Sequence, residues 1–241
     1  MAENIIEIKN LSFSFGNYQA LDDISFNVKK GEIVAIIGPN GSGKTTLLNI
    51  IIGNYKPQIG SVLIKKQLPK KVRQKIGYVP QKFQFDREIP ITVYEFMALE
   101  KCEQDNHRPR HIKKILEQVG LKNKQKQKLG SLSGGQFQRV MIARALLHEK
   151  DILIFDEPSS GIDIVGEQTI YDLIKDINQT RKTTCLIVSH ELNIVNKYAD
   201  NVLCLNKKML CYGKPETTIS PQTLTELFGI NAGLYHSHNH K

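Results

Sequence analysis

The sequence IVAIIGPNGSGKTTLLNIII, residues 33–52, joins three local patterns without a break. Residues 33–37 are a continuous, mostly β-branched apolar run, which is typical of a strand buried on both faces, and residues 44–52 are expected to form a helix. The loop between them fits GxxxxGK[ST], a pattern that cradles phosphate groups when it connects a strand to a helix. Its residues are Gly38, Pro39, Asn40, Gly41, Ser42, Gly43, Lys44 and Thr45.

This loop predicts a specific phosphate chemistry. Its glycines let the backbone curl, so that several N–H groups and the N-terminus of the helix converge on a β-phosphate. We expect the Lys44 ammonium group to reach β- and γ-oxygens and the Thr45 hydroxyl to ligate Mg²⁺.

Two carboxylates follow a second apolar run, residues 152–155. Asp156 stands at the end of this predicted strand, where it can hold Mg²⁺, and Glu157 can orient or deprotonate the attacking water. His190 follows a third run, residues 184–188, and could contact the γ-phosphate, although an ordinary histidine at a strand end is the alternative. Together these residues predict a hydrolase.

The fold class predicted from the alternation of buried strands and helices is α/β with a parallel core. Alternating apolar residues between 5 and 28 predict a small antiparallel sheet before it, and the polar segments 92–101 and 111–119 predict an inserted helical subdomain. A length of 241 residues excludes three or more domains. We expect one domain, 1–220, with a core of 1–85 and 146–220, a helical subdomain of 86–145, and a C-terminal tail of 221–241.

The positive charge is concentrated in the middle of the chain. Residues 56–128 hold 18 of the 33 Lys and Arg but only 7 of the 24 Asp and Glu. Such a belt can meet nucleic acid, anionic lipid headgroups or an acidic partner, and a lysine-rich solvated surface is the alternative.

Cysteine usage and the N-terminus both favour the cytosol. The four cysteines form no CxxC pair and are expected to be free thiols, and the first residues do not have the pattern of a signal peptide. No apolar run reaches the ~18 residues of a membrane span. If residues 207–208 form a two-residue turn, Cys204 and Cys211 lie directly opposite each other on paired strands.

The sequence LSGGQ at residues 132–136 resembles the signature of ABC ATPases, and Gln81, His190 and the loop 160–163 complete that pattern over residues 5–213. The resemblance implies a P-loop NTPase core with an N-terminal antiparallel β subdomain and an inserted helical subdomain. It also implies an ATPase that uses ATP and Mg²⁺.

The resemblance assigns roles to individual residues. Phe15 would stack on adenine, with a core phenylalanine as the alternative, and Gln81 would join the Mg²⁺ and water shell. Ser133 and Gly135 would bind the γ-phosphate of ATP held by a second copy, so that two chains form a head-to-tail homodimer. Catalysis is assigned to Lys44, Gln81, Glu157 and His190, Mg²⁺ binding to Thr45, Gln81 and Asp156, and further nucleotide contacts to Thr46, Gly134, Gln136 and Asp163.

The family resemblance also implies partners. The chain would be a peripheral subunit at the cytoplasmic face of the inner membrane, docked through residues 82–96 to polytopic permease subunits. A periplasmic or surface metal-binding protein would be an indirect partner, and no nucleic acid is expected.

Several shorter features resemble the ATP-binding subunits of bacterial zinc and manganese importers. They are an expected short hairpin within 60–79 and the segments 136–140, 157–163, 202–206 and 211–213. Three histidines near the end of the sequence, His236, His238 and His240, favour zinc over manganese and could bind that ion. An incidental cluster is the alternative. A manganese or other metal importer, or a soluble ABC ATPase that acts as a scaffold or on nucleic acid, remains open.

Overall fold

The computed structural model describes residues 3–81, 83, 85–100 and 108–229. The chain divides into two compact units. Unit 1 contains Met1–Arg73 and Thr184–Lys241, and unit 2 contains residues 74–183. The expected helical subdomain, 86–145, falls within unit 2, and its exact bounds stay a prediction.

Unit 1 contains an antiparallel and a mainly parallel sheet. Its elements are β1 (Asn4–Phe15), β2 (Tyr18–Lys29), β3 (Ile33–Ile37), α1 (Lys44–Ile52), β4 (Ile59–Ile64), α2 (Pro69–Val72), β7 (Thr184–Val188), α7 (Leu192–Tyr198), β8 (Asn201–Asn206), β9 (Lys208–Gly213), α8 (Pro215–Thr218) and α9 (Pro221–Phe228). The antiparallel sheet has the order β2-β1-β4. Its alternating side chains bury one face, with Ile8 opposite Phe26, so the predicted N-terminal sheet is confirmed.

The second sheet of unit 1 is built around the apolar run that precedes the glycine-rich loop. β3 lies between β7 and β8, parallel to both, and β9 pairs antiparallel with β8. All five residues of β3 and all five of β7 are buried, which confirms the prediction of strands covered on both faces. The predicted helix 44–52 is confirmed as α1, which ends at Gly53 in the left-handed conformation.

Unit 2 carries one pair of parallel strands and most of the long helices. Its elements are β5 (Ile76–Val79), α3 (Val93–Ala98), α4 (Arg108–Gln118), α5 (Gly134–Ala145), β6 (Ile152–Asp156) and α6 (Ile164–Arg181). β5 and β6 are parallel, with Val79 opposite Phe155. α4 buries Ile112 and Leu116 and exposes Lys113, as its amphipathic pattern requires.

The expected hairpin within 60–79 is wrong. β4 pairs with β1 in the antiparallel sheet, whereas β5 pairs with β6, and α2 and a short 3₁₀ turn separate the two strands. The sequence offers two short apolar runs at hairpin distance, but each run finds its partner elsewhere in the chain.

The C-terminal part of the described chain is more ordered than a tail. Residues 221–228 form α9, whose Leu227 is only 1% exposed and packs with Ala35, Ile37, Val195 and Val202. This helix therefore belongs to the core of unit 1.

The cysteines differ from the expectation of free thiols. Cys204 and Cys211 are directly opposite on β8 and β9 and form a disulfide, with Cα atoms 4.9 Å apart. The predicted cross-strand pairing is confirmed, but the two-residue turn at 207–208 on which it was based is wrong: Asn206 pairs with Lys208, and a register shift between Cys204 and Leu205 brings the two cysteines opposite each other. The prediction of free thiols is wrong for this pair. Cys185 is buried and lies outside this disulfide, and burial raises the pKa of its thiol. Among the described helices, none combines the length and the apolar character that crossing a membrane requires.

Candidate active site

The glycine-rich loop is pressed against its neighbours in unit 1. A Cβ atom on Gly43, which has φ 99°, would lie 2.5 Å from the carbonyl oxygen of Ala20 and 2.7 Å from a methyl carbon of Leu21. A Cβ atom on Gly38 would overlap the carbonyl oxygen of Leu205. Only glycine therefore fits at these two positions, which is the physical reason for the spacing of the motif.

The loop carries groups suited to an anion. Lys44 is 7% exposed, and its ammonium group donates to the carbonyl oxygens of Gly38 at 2.7 Å and Pro39 at 2.9 Å. The Ser42 hydroxyl is buried and has no hydrogen-bond partner within the described part of the chain. The first turn of α1, with Thr45 exposed and Thr46 half-buried, lies directly behind them. An unsatisfied hydroxyl, a cation and a helix N-terminus together fit the phosphate groups of a nucleotide.

The turn between β8 and β9 supports this loop. The Lys207 backbone N–H donates to the carbonyl of Ser42 at 2.8 Å, and the Lys207 carbonyl accepts from the Asp22 N–H at 2.8 Å. The Lys207 ammonium group lies 4.6 Å from the ring centre of Tyr18, whose hydroxyl donates to the Gly41 carbonyl. Sequence reasoning missed these supports, because nothing in the local pattern links residues so far apart in the chain.

Two other predicted nucleotide contacts lie in unit 1. Phe15 is 47% exposed, with ring edges against Phe13 and Tyr55, so it is not a core phenylalanine and has a surface open to a planar ligand. His190 is exposed and is the second residue after β7, and the Ser189 N–H between them donates to the carbonyl of Ile36 at 3.3 Å. His190 therefore follows a strand that ends at the same sheet edge as the strand leading into the loop.

The predicted carboxylates lie in unit 2. Asp156 is 6% exposed at the end of β6 and accepts a hydrogen bond from the Tyr78 hydroxyl at 3.2 Å. Burial and the nearby carboxylate raise the pKa of Tyr78, so this phenol stays protonated as a donor. Glu157 has φ 49°, and the Gln81 amide donates to its carboxylate. The structure thus brings together Gln81 and Glu157, which the sequence separates by 76 positions.

The signature residues line an open cavity within unit 2. Ser133 caps α5: its hydroxyl accepts from the Gln136 N–H at 3.3 Å, and its own N–H donates to Oε1 of Gln136 at 3.3 Å. Asp163 caps α6 through the Gly166 N–H at 3.1 Å. The N-termini of both helices face a cavity of about 410 Å³, whose lining includes Ser133, Gly134, Gly135, Gln136 and Asp163. Two helix N-termini at one cavity favour a negatively charged ligand.

Some predicted positions cannot be placed. The three histidines of the C-terminal cluster, His236, His238 and His240, and parts of the segment 82–96 lie outside the described residues. Among the residues that are described, no group of three His, Cys, Asp or Glu side chains is arranged to hold a metal ion.

Each predicted Mg²⁺ ligand carries the kind of donor atom that Mg²⁺ prefers. The Thr45 hydroxyl, the Asp156 carboxylate and the Gln81 carbonyl are all hard oxygen ligands, which Mg²⁺ prefers over nitrogen or sulfur. The loop and His190 belong to unit 1, whereas Gln81, Asp156, Glu157 and the signature belong to unit 2.

Comparison with known proteins supports the same assignment. The ABC transporter family profile matches residues 21–160. The chain is 40% identical, over the full length of both chains, to a zinc import ATP-binding protein ZnuC of Rickettsia prowazekii. It is 39% identical to a probable metal transport system ATP-binding protein of Thermotoga maritima, over 93% of this chain and 90% of that protein.

Among solved structures, the chain is similar to the dimeric post-hydrolysis state of an ATP-binding cassette bound to ADP and Pi. The two share 30% identity with a TM-score of 0.75, covering 87% of this chain and 98% of that one. The fold, the motifs and these relatives agree, and the chain therefore belongs to the ABC transporter family, as an ATP-binding subunit that hydrolyses ATP.

Proposed function

We propose that this chain powers a membrane importer for zinc ions. The observation that carries the proposal is the 40% identity, over the full length of both chains, to a relative named as a zinc import ATP-binding protein. A metal importer with a different cargo is the second candidate, because another relative of similar identity is named only for metal transport.

In the proposed mechanism, the glycine-rich loop binds the phosphates. Lys44 and the unsatisfied Ser42 hydroxyl are the donors that the loop offers, and Phe15 stacks on the adenine. When bound, Mg²⁺ would supply positive charge to the phosphate oxygens, with Thr45, Gln81 and Asp156 as its protein ligands.

Glu157 is proposed to orient and deprotonate the attacking water. Its contact with the Gln81 amide supports this, because that hydrogen bond fixes the carboxylate and links it to the segment that follows Gln81. His190 would contact the γ-phosphate.

A second copy of the chain completes the site in this proposal. The signature cavity, with its two helix N-termini, would receive the γ-phosphate of ATP bound by the partner subunit. The dimeric ADP- and Pi-bound relative supports this arrangement. Two chains would then enclose two ATP molecules, and hydrolysis would reopen the dimer.

The permease would dock on an aromatic groove of unit 2. Phe83, Phe85 and Phe137 line a cavity of about 350 Å³ together with Leu129 and Leu132. Phe83 is 37% exposed, and its ring centre lies 6.2 Å from that of Phe137. An open apolar groove of this kind fits an amphipathic helix. Phe83 and Phe85 belong to the segment 82–96, which is expected to meet the membrane subunits, and this supports a peripheral position at the cytoplasmic face. A metal-binding protein would be linked to this chain only through those subunits.

Gene deletion tests the cargo. Cells lacking this protein should fail to grow under zinc chelation, and added zinc should restore growth. The wild-type gene should complement the deletion, and Lys44→Ala should not, because it removes the ammonium group that the loop needs for phosphate.

Measuring accumulation of several metals separates the candidates. A selective loss of zinc is the expected result. A selective loss of manganese would replace the cargo and leave the ATPase mechanism unchanged. Unchanged levels of every metal would favour a soluble ABC ATPase outside transport.

A further inference from the structure

Tyr78 contacts the end of β6 in a way that no motif describes. It lies on β5 opposite Ile154, two residues before Asp156, and its hydroxyl donates to Oδ2 of Asp156 at 3.2 Å. The parallel register therefore brings a side chain from the middle of one strand to the carboxylate at the end of the next.

The Asp156 carboxylate needs such a donor. It is 6% exposed, and burying a polar group to this extent is costly unless hydrogen bonds replace those to water. A phenol serves this purpose well, because it donates a hydrogen bond without adding a cation that would compete with a metal ion. The bond also restricts rotation of the carboxylate, which sets the direction of its oxygen atoms.

The surroundings of Tyr78 fix its ring. The side chain is half-buried and lines a cavity of about 220 Å³ with Arg144 and Glu100. Arg144 forms an ion pair with Glu100 at 3.1 Å and stacks on Phe96 at 4.9 Å, so the cavity wall is itself held in place. Removal of the hydroxyl alone would leave these contacts intact.

The same strand also leads to the neighbouring carboxylate. Gln81 follows β5 by two residues and donates to Glu157. One short segment thus supplies hydrogen-bond donors to both consecutive acids of the hydrolytic site.

We propose that Tyr78 is a positioning residue for Mg²⁺ binding, which acts by orienting the Asp156 carboxylate through this hydrogen bond. The inference rests on the proposed role of Asp156 as a Mg²⁺ ligand and is independent of the cargo. Loss of a hydrogen bond to a metal-ligating carboxylate typically weakens metal affinity 10- to 100-fold, and for one bond of 3.2 Å we expect about 10-fold.

The test compares Tyr78→Phe with Tyr212→Phe. Tyr212 is a matched control, because it is also half-buried and donates one hydrogen bond, to the carbonyl of Asn27 at 2.6 Å, in unit 1. The first readout is the Mg²⁺ concentration that gives half-maximal ATPase activity. The second readout needs no turnover. Each tyrosine variant is combined with Glu157→Gln and loaded with ATP, Mn²⁺ is titrated in, and the bound ion is measured by electron paramagnetic resonance.

Tyr78→Phe should raise both half-saturating metal concentrations about 10-fold with little change in maximal rate at saturating metal, whereas Tyr212→Phe should change neither. Equal metal dependence in the two variants would overturn the inference. A wild-type protein that needs no divalent ion would instead remove the proposed Mg²⁺ site itself.

A stability measurement keeps the inference testable if Tyr78→Phe folds poorly. Urea unfolding of Tyr78→Phe, Asp156→Ala and the double variant, without nucleotide, should show non-additive losses, because both single changes break the same hydrogen bond. Losses that simply add would show that the bond is absent and would overturn the inference.

Discussion

Leu227→Ala tests whether α9 is part of the core. Leu227 is 1% exposed and belongs to the same core cluster as Ala35 and Ile37 of β3, the strand that leads into the glycine-rich loop. Truncation to alanine removes buried carbons and leaves a cavity, which costs about 2–5 kcal/mol in protein cores. Since α9 is short and close to the end of the described chain, it can shift to fill part of that cavity, so we expect about 2–3 kcal/mol.

The neighbouring residue provides the control. Phe228 is 39% exposed on the same helix, and Phe228→Ala should cost less than about 1 kcal/mol although it removes more atoms. The Ser220 cap, whose hydroxyl accepts from the Thr223 N–H at 3.1 Å, is unchanged in both variants.

Circular dichroism follows the unfolding of both variants. Unfolding in denaturant gives the free energy of unfolding, and unfolding by heat gives Tm. For a chain of this length, each kcal/mol corresponds to about 2–4 °C in Tm, so Leu227→Ala should melt roughly 5–10 °C below the wild type. Equal losses in the two variants, or a larger loss for Phe228→Ala, would refute the placement of Leu227 in the core of unit 1.

Two further predictions concern the proposed ATP site. Glu157→Gln should bind ATP normally but lose nearly all turnover, because it removes the base and leaves the loop intact. Size-exclusion chromatography with ATP and Mg²⁺ should then show a trapped dimer. Near-wild-type hydrolysis would contradict the role of Glu157. The variants Ser133→Arg and Lys44→Ala should each be inactive alone. Mixing them should restore part of the ATPase activity, since a heterodimer contains one intact composite site. A mixture without activity would mean that signature and loop act within one chain.

Local sequence patterns predicted the elements that carry the motifs. The strand, loop and helix of residues 33–52 were predictable because each has its own local pattern: an apolar run for the buried strand, glycine spacing for the loop and helical periodicity after it. All three patterns lie within 20 consecutive residues. The strand that ends in Asp156 was predictable for the same reason.

Contacts between distant segments were not predictable. Tyr78 looks like any strand tyrosine, and its partnership with Asp156 depends on the register of two parallel strands. Lys207 supports the loop through its backbone, which no side-chain pattern reveals. The false hairpin within 60–79 has the same cause, because the partners of β4 and β5 are chosen by tertiary packing and not by the distance between them.

The position of β3 in its sheet also has a consequence for how the protein is made. Ile36 pairs with Val188 and Leu203, which leave the ribosome roughly 150 residues after it, or on the order of 10 s later at typical synthesis rates. Unit 2 is one continuous stretch, 74–183, so all of it is synthesised during that interval. Until β7 and β8 are made, the five apolar residues of β3 lack the neighbours that bury them, and an unpaired apolar strand is prone to aggregation. The glycine-rich loop is therefore synthesised early but gains its folded surroundings late.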